Sequence, residues 1–224
     1  MKLLYGTGNQ GKIKAMQRAL KDLNLEIVGL KEYTGQLSQE VDYQLHGDDQ
    51  LRPDKHCQLP AVKEDGLTPL ENARIKAAAY YETFHIPVFS CDSGLYFEGV
   101  PEEYQPGVFV RRIEGKELSD DEMIEYYSSL AKHFGTLKAR YRNAISFILD
   151  EEHIYESTAD NLSGQAFYIV DTPHVRRMEG FPLDSLSVHI DSGLYYYDLE
   201  NNGVDEIAVD KGFYEFFQKV LSDG

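Results

Sequence analysis

Tryptophan is absent from the 224 residues, and cysteine occurs only at Cys57 and Cys91. Two cysteines build no disulfide framework and match no zinc-ligand spacing, so both are expected to be free thiols in a reduced, cytosolic protein. Basic residues are also scarce: 22 Lys plus Arg stand against 38 Asp plus Glu, a net charge of -16 at pH 7. That balance excludes a protein that holds a nucleic-acid polymer by its phosphates, because that mode needs a basic footprint. It leaves room for a small polyphosphate, which arrives as a magnesium complex with much of its charge neutralised. No apolar run approaches the ~20 residues of a membrane-spanning helix. The opening Met1-Lys2-Leu3-Leu4-Tyr5-Gly6 is too short an apolar stretch for a signal peptide. Internal repeats are missing too, which sets solenoids and propellers aside.

What is present points to a folded chain. Apolar residues make up 42%, with 16 Tyr and 11 Phe, too much for a disordered acidic segment. The length suits one large domain or two tightly joined lobes. Lys2 to Tyr5 reads as a buried strand, followed by the turn Gly6-Thr7-Gly8-Asn9 and then by Ile13, Met16, Leu20 and Leu23 at helical spacing. Leu25 to Leu30 reads as a second strand. Residues from about 34 to 63 are polar and lack a clean period, although Val41-Tyr43-Leu45 has the alternation of a short strand. Thr68-Pro69-Leu70-Glu71 and Ser119-Asp120-Asp121-Glu122 are capping boxes, predicting helices to about Phe84 and Phe134. Pro87 to Cys91 reads as a strand that empties into Asp92-Ser93-Gly94, and three further strands are expected over 138–149, 152–159 and 164–170. Phe213, Phe216, Phe217, Val220 and Leu221 stripe a final helix, with Asp210 a candidate for its N-cap. Tyr195-Tyr196-Tyr197 reads as a strand with two aromatic faces. The seven histidines show no ligand spacing. Strands alternating with helices early and clustering later predict an α/β fold with a mixed sheet.

Three segments carry chemistry. Thr7-Gly8-Asn9-Gln10-Gly11-Lys12 joins a strand to a helix, where backbone N–H groups attract phosphate and a lysine adds charge. An ordinary tight turn with a solvated lysine has the same composition. Glu64 and Asp65 lie in the loop before a helix on which Asn72 and Lys76, four apart, share a face; an exposed face explains Lys76 equally well. Asp92 follows an apolar strand, where binding residues of open α/β sheets gather, and its carboxylate suits a hard cation or a proton from water. An Asx-turn closing the strand is the plain alternative.

Together the segments resemble the inosine triphosphate pyrophosphatase family, which hydrolyses non-standard purine nucleoside triphosphates. The match runs through Thr7-Gly8-Asn9 with Lys12, Glu64 with Gly66-Leu67-Thr68, Glu71-Asn72-Ala73 with Lys76-Ala77, Asp92-Ser93-Gly94, and Pro106-Gly107-Val108-Phe109 with Arg112 and Gly115. The resemblance implies a two-lobed α/β fold with a long mixed sheet flanked by helices, spanning residues 1–224 as one domain with a polar insertion at about 38–60. It also implies Mg²⁺, a homodimer, and cleavage of a nucleoside triphosphate to the monophosphate and pyrophosphate. Asp92 and Lys12 are the catalytic residues it implies, and Glu64 and Asp92 the metal ligands. Thr7, Asn9, Lys12, Asn72, Lys76, Ser93, Gly94 and Arg112 would bind the substrate.

The second half departs from the pattern. The base-recognition segment is Gly180-Phe181-Pro182-Leu183-Asp184, in which Phe181 can stack on a purine and Asp184 can accept from a base edge, but Leu183 replaces a tyrosine. A His-Arg pair that donates to the purine 6-oxygen in the family becomes Asp210-Lys211, leaving Lys211 as the implied base-side contact. Cys91 replaces the first of two aspartates. Triphosphate chemistry is thus better founded than inosine or xanthosine specificity, with another modified nucleotide or a silent nucleotide-binding protein as alternatives.

Overall fold

The short apolar run after Lys2 folds as β1 (Lys2–Tyr5), with Leu3, Leu4 and Tyr5 all buried, as befits a strand covered on both faces. The computed structural model describes residues 1–44, 58–199 and 203–222. β1 pairs in parallel with β2 (Glu26–Gly29) and with β3 (Val88–Phe97). Parallel pairing demands long crossovers, supplied by α1 (Gln10–Ala19) and by α2 (Leu30–Gln44) with α3 (Pro69–Phe84). The full strand order is β2-β1-β3-β6-β8-β9, with β7 beside β6, a mixed sheet of seven strands.

The chain divides into two compact units. The first comprises Met1–Asp92, Ala144–Ala159 and Asp210–Gly224. In it, Leu4, Val88 and Ile148 pack with Leu30, Ala77 and Tyr80. β6 (Leu137–Ile148) enters it and pairs antiparallel with β7 (Ile154–Ser157). Phe217 of α5 (Gly203–Ser222) meets Phe89 at 5.1 Å and Phe147 at 5.5 Å between ring centroids. The second unit comprises Ser93–Asn143 and Asp160–Val209. There α4 (Asp120–Phe134) buries Met123, Ile124, Tyr127 and Leu130 against Leu137 and Ala139 of β6 and Phe167 and Ile169 of β8 (Phe167–Ile169). β8 continues to β9 (Ser187–Val188), and β4 (Arg112–Ile113) pairs with β5 (Lys116–Glu117).

Both capping boxes form, at Thr68–Glu71 and Ser119–Glu122. Several expectations need correction. Leu30 starts α2 instead of ending a strand, and Val41 and Tyr43 are helical; Tyr33 meets the Phe84 ring edge-on, a tertiary contact that outweighs the weak local alternation. Leu45 and most of the expected insertion at 38–60, with His46, His56 and Cys57, lie outside the described residues. β3 does not stop at Asp92, because Leu95 and Phe97 are buried again beyond it. The strand expected over 164–170 is only Phe167–Ile169. The last helix begins at Gly203, so Asp210 is not its N-cap. Tyr196–Asp198 is a 3₁₀ turn, not a strand. Among the described residues no helix is long and apolar enough to cross a membrane.

Candidate active site

In the first unit, Asn9 caps α1. Its backbone is extended, and its Oδ1 accepts from the N–H groups of Gly11 at 2.9 Å and Lys12 at 3.1 Å. Thr7 Oγ1 accepts from the Asn9 N–H at 3.2 Å. The cap thus takes two of the N–H groups that a phosphate would otherwise use, while the Lys12 side chain stays exposed beside it. Gly6, just before this turn, is required by crowding. A Cβ there would fall 2.0 Å from Ser90 Oγ.

Four of the expected residues meet around one nitrogen. Lys76 Nζ donates to Glu64 Oε2 and to Asp92 Oδ1, each at 2.8 Å. Asn72 Nδ2 donates to Asp92 Oδ2 at 3.2 Å, while Asn72 Oδ1 accepts from the Gly66 N–H at 2.9 Å. Both Asp92 oxygens are therefore held, and the loop carrying Glu64 is tied to α3 through Gly66. The Lys76 side chain is 11% exposed and Asp92 15%, against 47% for Glu64. Burial works against the Lys76 charge, yet its hydrogen bonds to Asp92 and Glu64 outweigh that and place its pKa above the ordinary lysine value. The exposed-face reading of Lys76 is overturned.

The donor set fits a hard cation. Magnesium takes oxygen ligands and is commonly held by one or two carboxylates, with substrate oxygens and water completing the shell. Glu64 and Asp92 are two such carboxylates, and the Lys76 ammonium between them already occupies a cation's electrostatic position. No group of three or more His, Cys, Asp or Glu residues is arranged for a metal among the described residues.

Lys211 is exposed on α5, with Glu215 Oε1 3.6 Å away. Its neighbour Asp210 forms an ion pair with Arg18 Nε at 2.8 Å. Leu183 is buried in the apolar cluster of the second unit.

The second unit holds the remaining expected residues. Ser93 Oγ donates to Asn143 Oδ1 at 2.7 Å, and Asn143 Nδ2 donates to the Leu162 carbonyl at 2.7 Å. Gly94 is required by a close approach: a Cβ would lie 3.0 Å from the Gly107 backbone, which exchanges hydrogen bonds with Leu95. Arg112 is exposed over the Phe109 ring. Phe181 is exposed, and Asp184 opens no side-chain hydrogen bond or ion pair among the described residues; burial raises its carboxyl pKa. No hydrogen bond links Ser93, Arg112, Phe181 and Asp184 to one another. Asn143 escaped the sequence reading, because an asparagine within a strand carries no local signal of its partner 50 residues away.

A mixed α/β sheet whose strand β3 carries Asp92 into a lysine-bridged carboxylate pair defines an α/β protein with a largely buried charged cluster. The chain belongs to the Ham1 family, which it matches over residues 3–186. It is 33% identical over 112 residues to the dITP/XTP pyrophosphatase of Aquifex aeolicus, covering 50% of this chain and 42% of that protein. It is 25% identical over 199 residues to the dITP/XTP pyrophosphatase of Haemophilus influenzae, covering 89% and 88%. The chain spans about half the length of the first curated relatives it matches. Its fold is similar to the HAM1 protein of Coxiella burnetii, with a TM-score of 0.68, 20% identity and 100% of both chains covered. The Staphylococcus aureus Ham1 protein is similar at a TM-score of 0.62 and 21% identity, with 96% and 98% covered.

Proposed function

We propose that the chain is a Mg²⁺-dependent nucleoside triphosphate pyrophosphatase acting on non-standard purine nucleotides such as ITP, XTP or their deoxy forms. The observation that carries this reading is the pair of carboxylates, Glu64 and Asp92, bridged by the Lys76 ammonium at 2.8 Å to each. The names of the Aquifex and Haemophilus relatives support the reaction and the base class. A homodimer in the cytoplasm accompanies this reading through the family resemblance.

Glu64 and Asp92 would hold Mg²⁺, which when bound offsets the charge of the triphosphate oxygens. The other roles fall to the chain itself. Asp92, fixed by Lys76 and Asn72, takes a proton from water as the water oxygen bonds to the α-phosphorus. The bond from the α-phosphorus to the bridging oxygen breaks, and pyrophosphate leaves with that electron pair. Lys12 and Lys76 offset the charge that develops on the phosphoryl oxygens. Thr7 and Asn9 shape the turn that presents Lys12, and Asn72 orients Asp92. In the second unit we assign Ser93, Gly94 and Arg112 to the nucleotide and Phe181 and Asp184 to its base.

The test is pyrophosphate release from a nucleotide panel in Mg²⁺, including inosine, xanthosine and pyrimidine triphosphates. Release from the keto purines, reduced at least ~10³-fold in Asp92→Asn, is expected. Binding without release from any nucleotide overturns the catalytic reading.

A further inference from the structure

In the second unit the two faces of the sheet differ in character. Leu137 and Ala139 of β6 pack into the apolar cluster of α4, together with Leu95 and Phe97 of β3. Successive strand residues point to opposite faces, so Lys138, Arg140 and Arg142 share the other face with Tyr96 and Glu98. The turn that carries Asp184 (Pro182–Ser185) inserts Leu183 into the α4-side cluster and so lies on the first face. On the second face is a cavity of about 550 Å³, lined by residues that include Tyr96, Glu98, Lys138, Arg140, Arg142 and Gln165. That volume suits a small metabolite, and none of these six residues has a role in the site described above.

Cations at alternate positions of one strand stand about 7 Å apart per step and repel one another. In a chain with 38 acidic and 22 basic residues, a carboxylate is available for each of them, yet only two are paired. Lys138 Nζ meets Glu98 Oε2 at 2.6 Å, and Arg140 Nη1 meets Asp160 Oδ1 at 2.5 Å. Arg140 is braced further, since its Nε donates to the Gly164 carbonyl at 2.6 Å and its Nη2 to the Asp160 carbonyl at 3.1 Å. Arg142 has no hydrogen bond or ion pair among the described residues; its guanidinium sits over the Tyr96 ring, 4.9 Å from the centroid. A guanidinium held by a ring keeps its five N–H donors for a ligand.

We propose that this cavity is a second binding site, for a phosphate monoester of small-metabolite size, whose dianionic phosphate is taken by Arg142 and Arg140. Two guanidinium groups on one strand face match a phosphate dianion in charge and in bidentate geometry. Asp160 is 84% exposed, so its pair with Arg140 yields to the ligand at little cost. Gln165 and the Tyr96 side chain remain for the organic part. A second copy of the chain is a poorer occupant, because a self-complementary contact centred here sets the Arg142 stripe against itself. The inference goes beyond the pyrophosphatase reading and uses none of its residues.

The chain has no tryptophan, so Tyr96→Trp puts a single indole in the cavity and keeps an aromatic face for Arg142. Its emission is followed in the full-length protein during titration with ribose 5-phosphate, inorganic phosphate and acetate at constant ionic strength. A saturable change is expected with ribose 5-phosphate, a weaker one with inorganic phosphate and none with acetate. Adding Arg142→Gln should weaken the ester at least ~10-fold and leave the melting temperature unchanged, because Arg142 is exposed. Calorimetry with ribose 5-phosphate on the wild type and on Arg142→Gln repeats the comparison without the indole, and decides the matter if Tyr96→Trp does not fold. No saturable change, an equal response to acetate or to inorganic phosphate, or wild-type affinity in Arg142→Gln overturns the inference. So does a dimer that Arg142→Gln dissociates, since a second copy would then cover the face. No turnover enters these measurements, so an absence of pyrophosphate release bears on the catalytic reading alone.

Discussion

The Lys76 ammonium lies 2.8 Å from Asp92 Oδ1, and both groups are largely withdrawn from solvent. The same nitrogen holds Glu64, so one cation keeps two carboxylates together. Removing one member of a buried ion pair strands the other charge, at about 3 kcal/mol. Lys76→Met is therefore expected to destabilise the protein by about that amount, measured by denaturant unfolding. Millimolar Mg²⁺ should then raise the melting temperature of Lys76→Met more than that of the wild type, because the freed carboxylates gain a cation. Equal responses to Mg²⁺ would remove the support for a metal site at Glu64 and Asp92. The sign for pH is that of a raised lysine: the stability is present below the unfolded lysine pKa of about 10.4 and is lost as pH rises through the higher folded value.

Gly6 and Ser90 make a second coupled pair. A Cβ on residue 6 would fall 2.0 Å from Ser90 Oγ and 2.8 Å from Tyr80 Cδ2. Gly6→Ala should cost about 1–3 kcal/mol by overpacking. Ser90 Oγ is itself buried without a hydrogen-bond partner, so Ser90→Ala alone should be neutral or slightly stabilising. Ser90→Gly should recover part of the Gly6→Ala loss, although Tyr80 still crowds the site. A double-mutant cycle by chemical denaturation measures the coupling, and strictly additive effects would contradict this packing.

Acid sensitivity is expected at the start of α4. Glu122 is held at about 2 by Lys116 first and then by the backbone and side chain of Ser119. A depressed carboxylate contributes stability above its unfolded pKa of about 4.3 and loses it as pH falls toward the folded value. Glu122→Gln should therefore differ from the wild type at pH 6, with the difference shrinking between about pH 4.3 and 2. Melting curves across that range check it; a constant difference would mean that the capping interaction does not depend on the charge.

The capping boxes at Thr68 and Ser119 were legible because each helix start is specified within four residues. So was the clustering of Glu64, Asn72, Lys76 and Asp92 as candidates, since the resemblance rests on those short segments. Burial of Lys76 was not legible: spacing along α3 shows which residues share a face, not what covers it. The Tyr195–Tyr197 run misled for a related reason, since aromatic residues favour strands, whereas here a 3₁₀ turn is stabilised by contacts to His174 and Arg176. Asp210 looked like a helix cap because the residues that lengthen α5 on its N-terminal side carry no strong start signal; its partner, Arg18, lies 192 positions away.

Cys91 stands where the family resemblance would place a second aspartate, and its surroundings explain why a carboxylate does not simply fit. Burial pushes the thiol up to about 12, although a hydrogen bond from Tyr5 and the charges of Lys12 and Lys76 pull the other way, and Asp92 adds to the rise. An aspartate at position 91 would meet the same burial and the same neighbouring charge, so its carboxyl would be raised and held protonated, without becoming a metal ligand. A raised carboxyl favours folding below its unfolded pKa of about 3.9 and loses that advantage as pH rises through the folded value. Cys91→Asp should therefore melt close to the wild type near pH 4 and progressively below it at pH 6 and 7.5, reaching a deficit of about 2 kcal/mol. Cys91→Asn supplies the control, since it adds polarity without a titrating group and its deficit should not vary with pH. A pH-independent deficit in Cys91→Asp, or tighter Mg²⁺ binding by that variant in calorimetry, would show that position 91 tolerates a second charge after all.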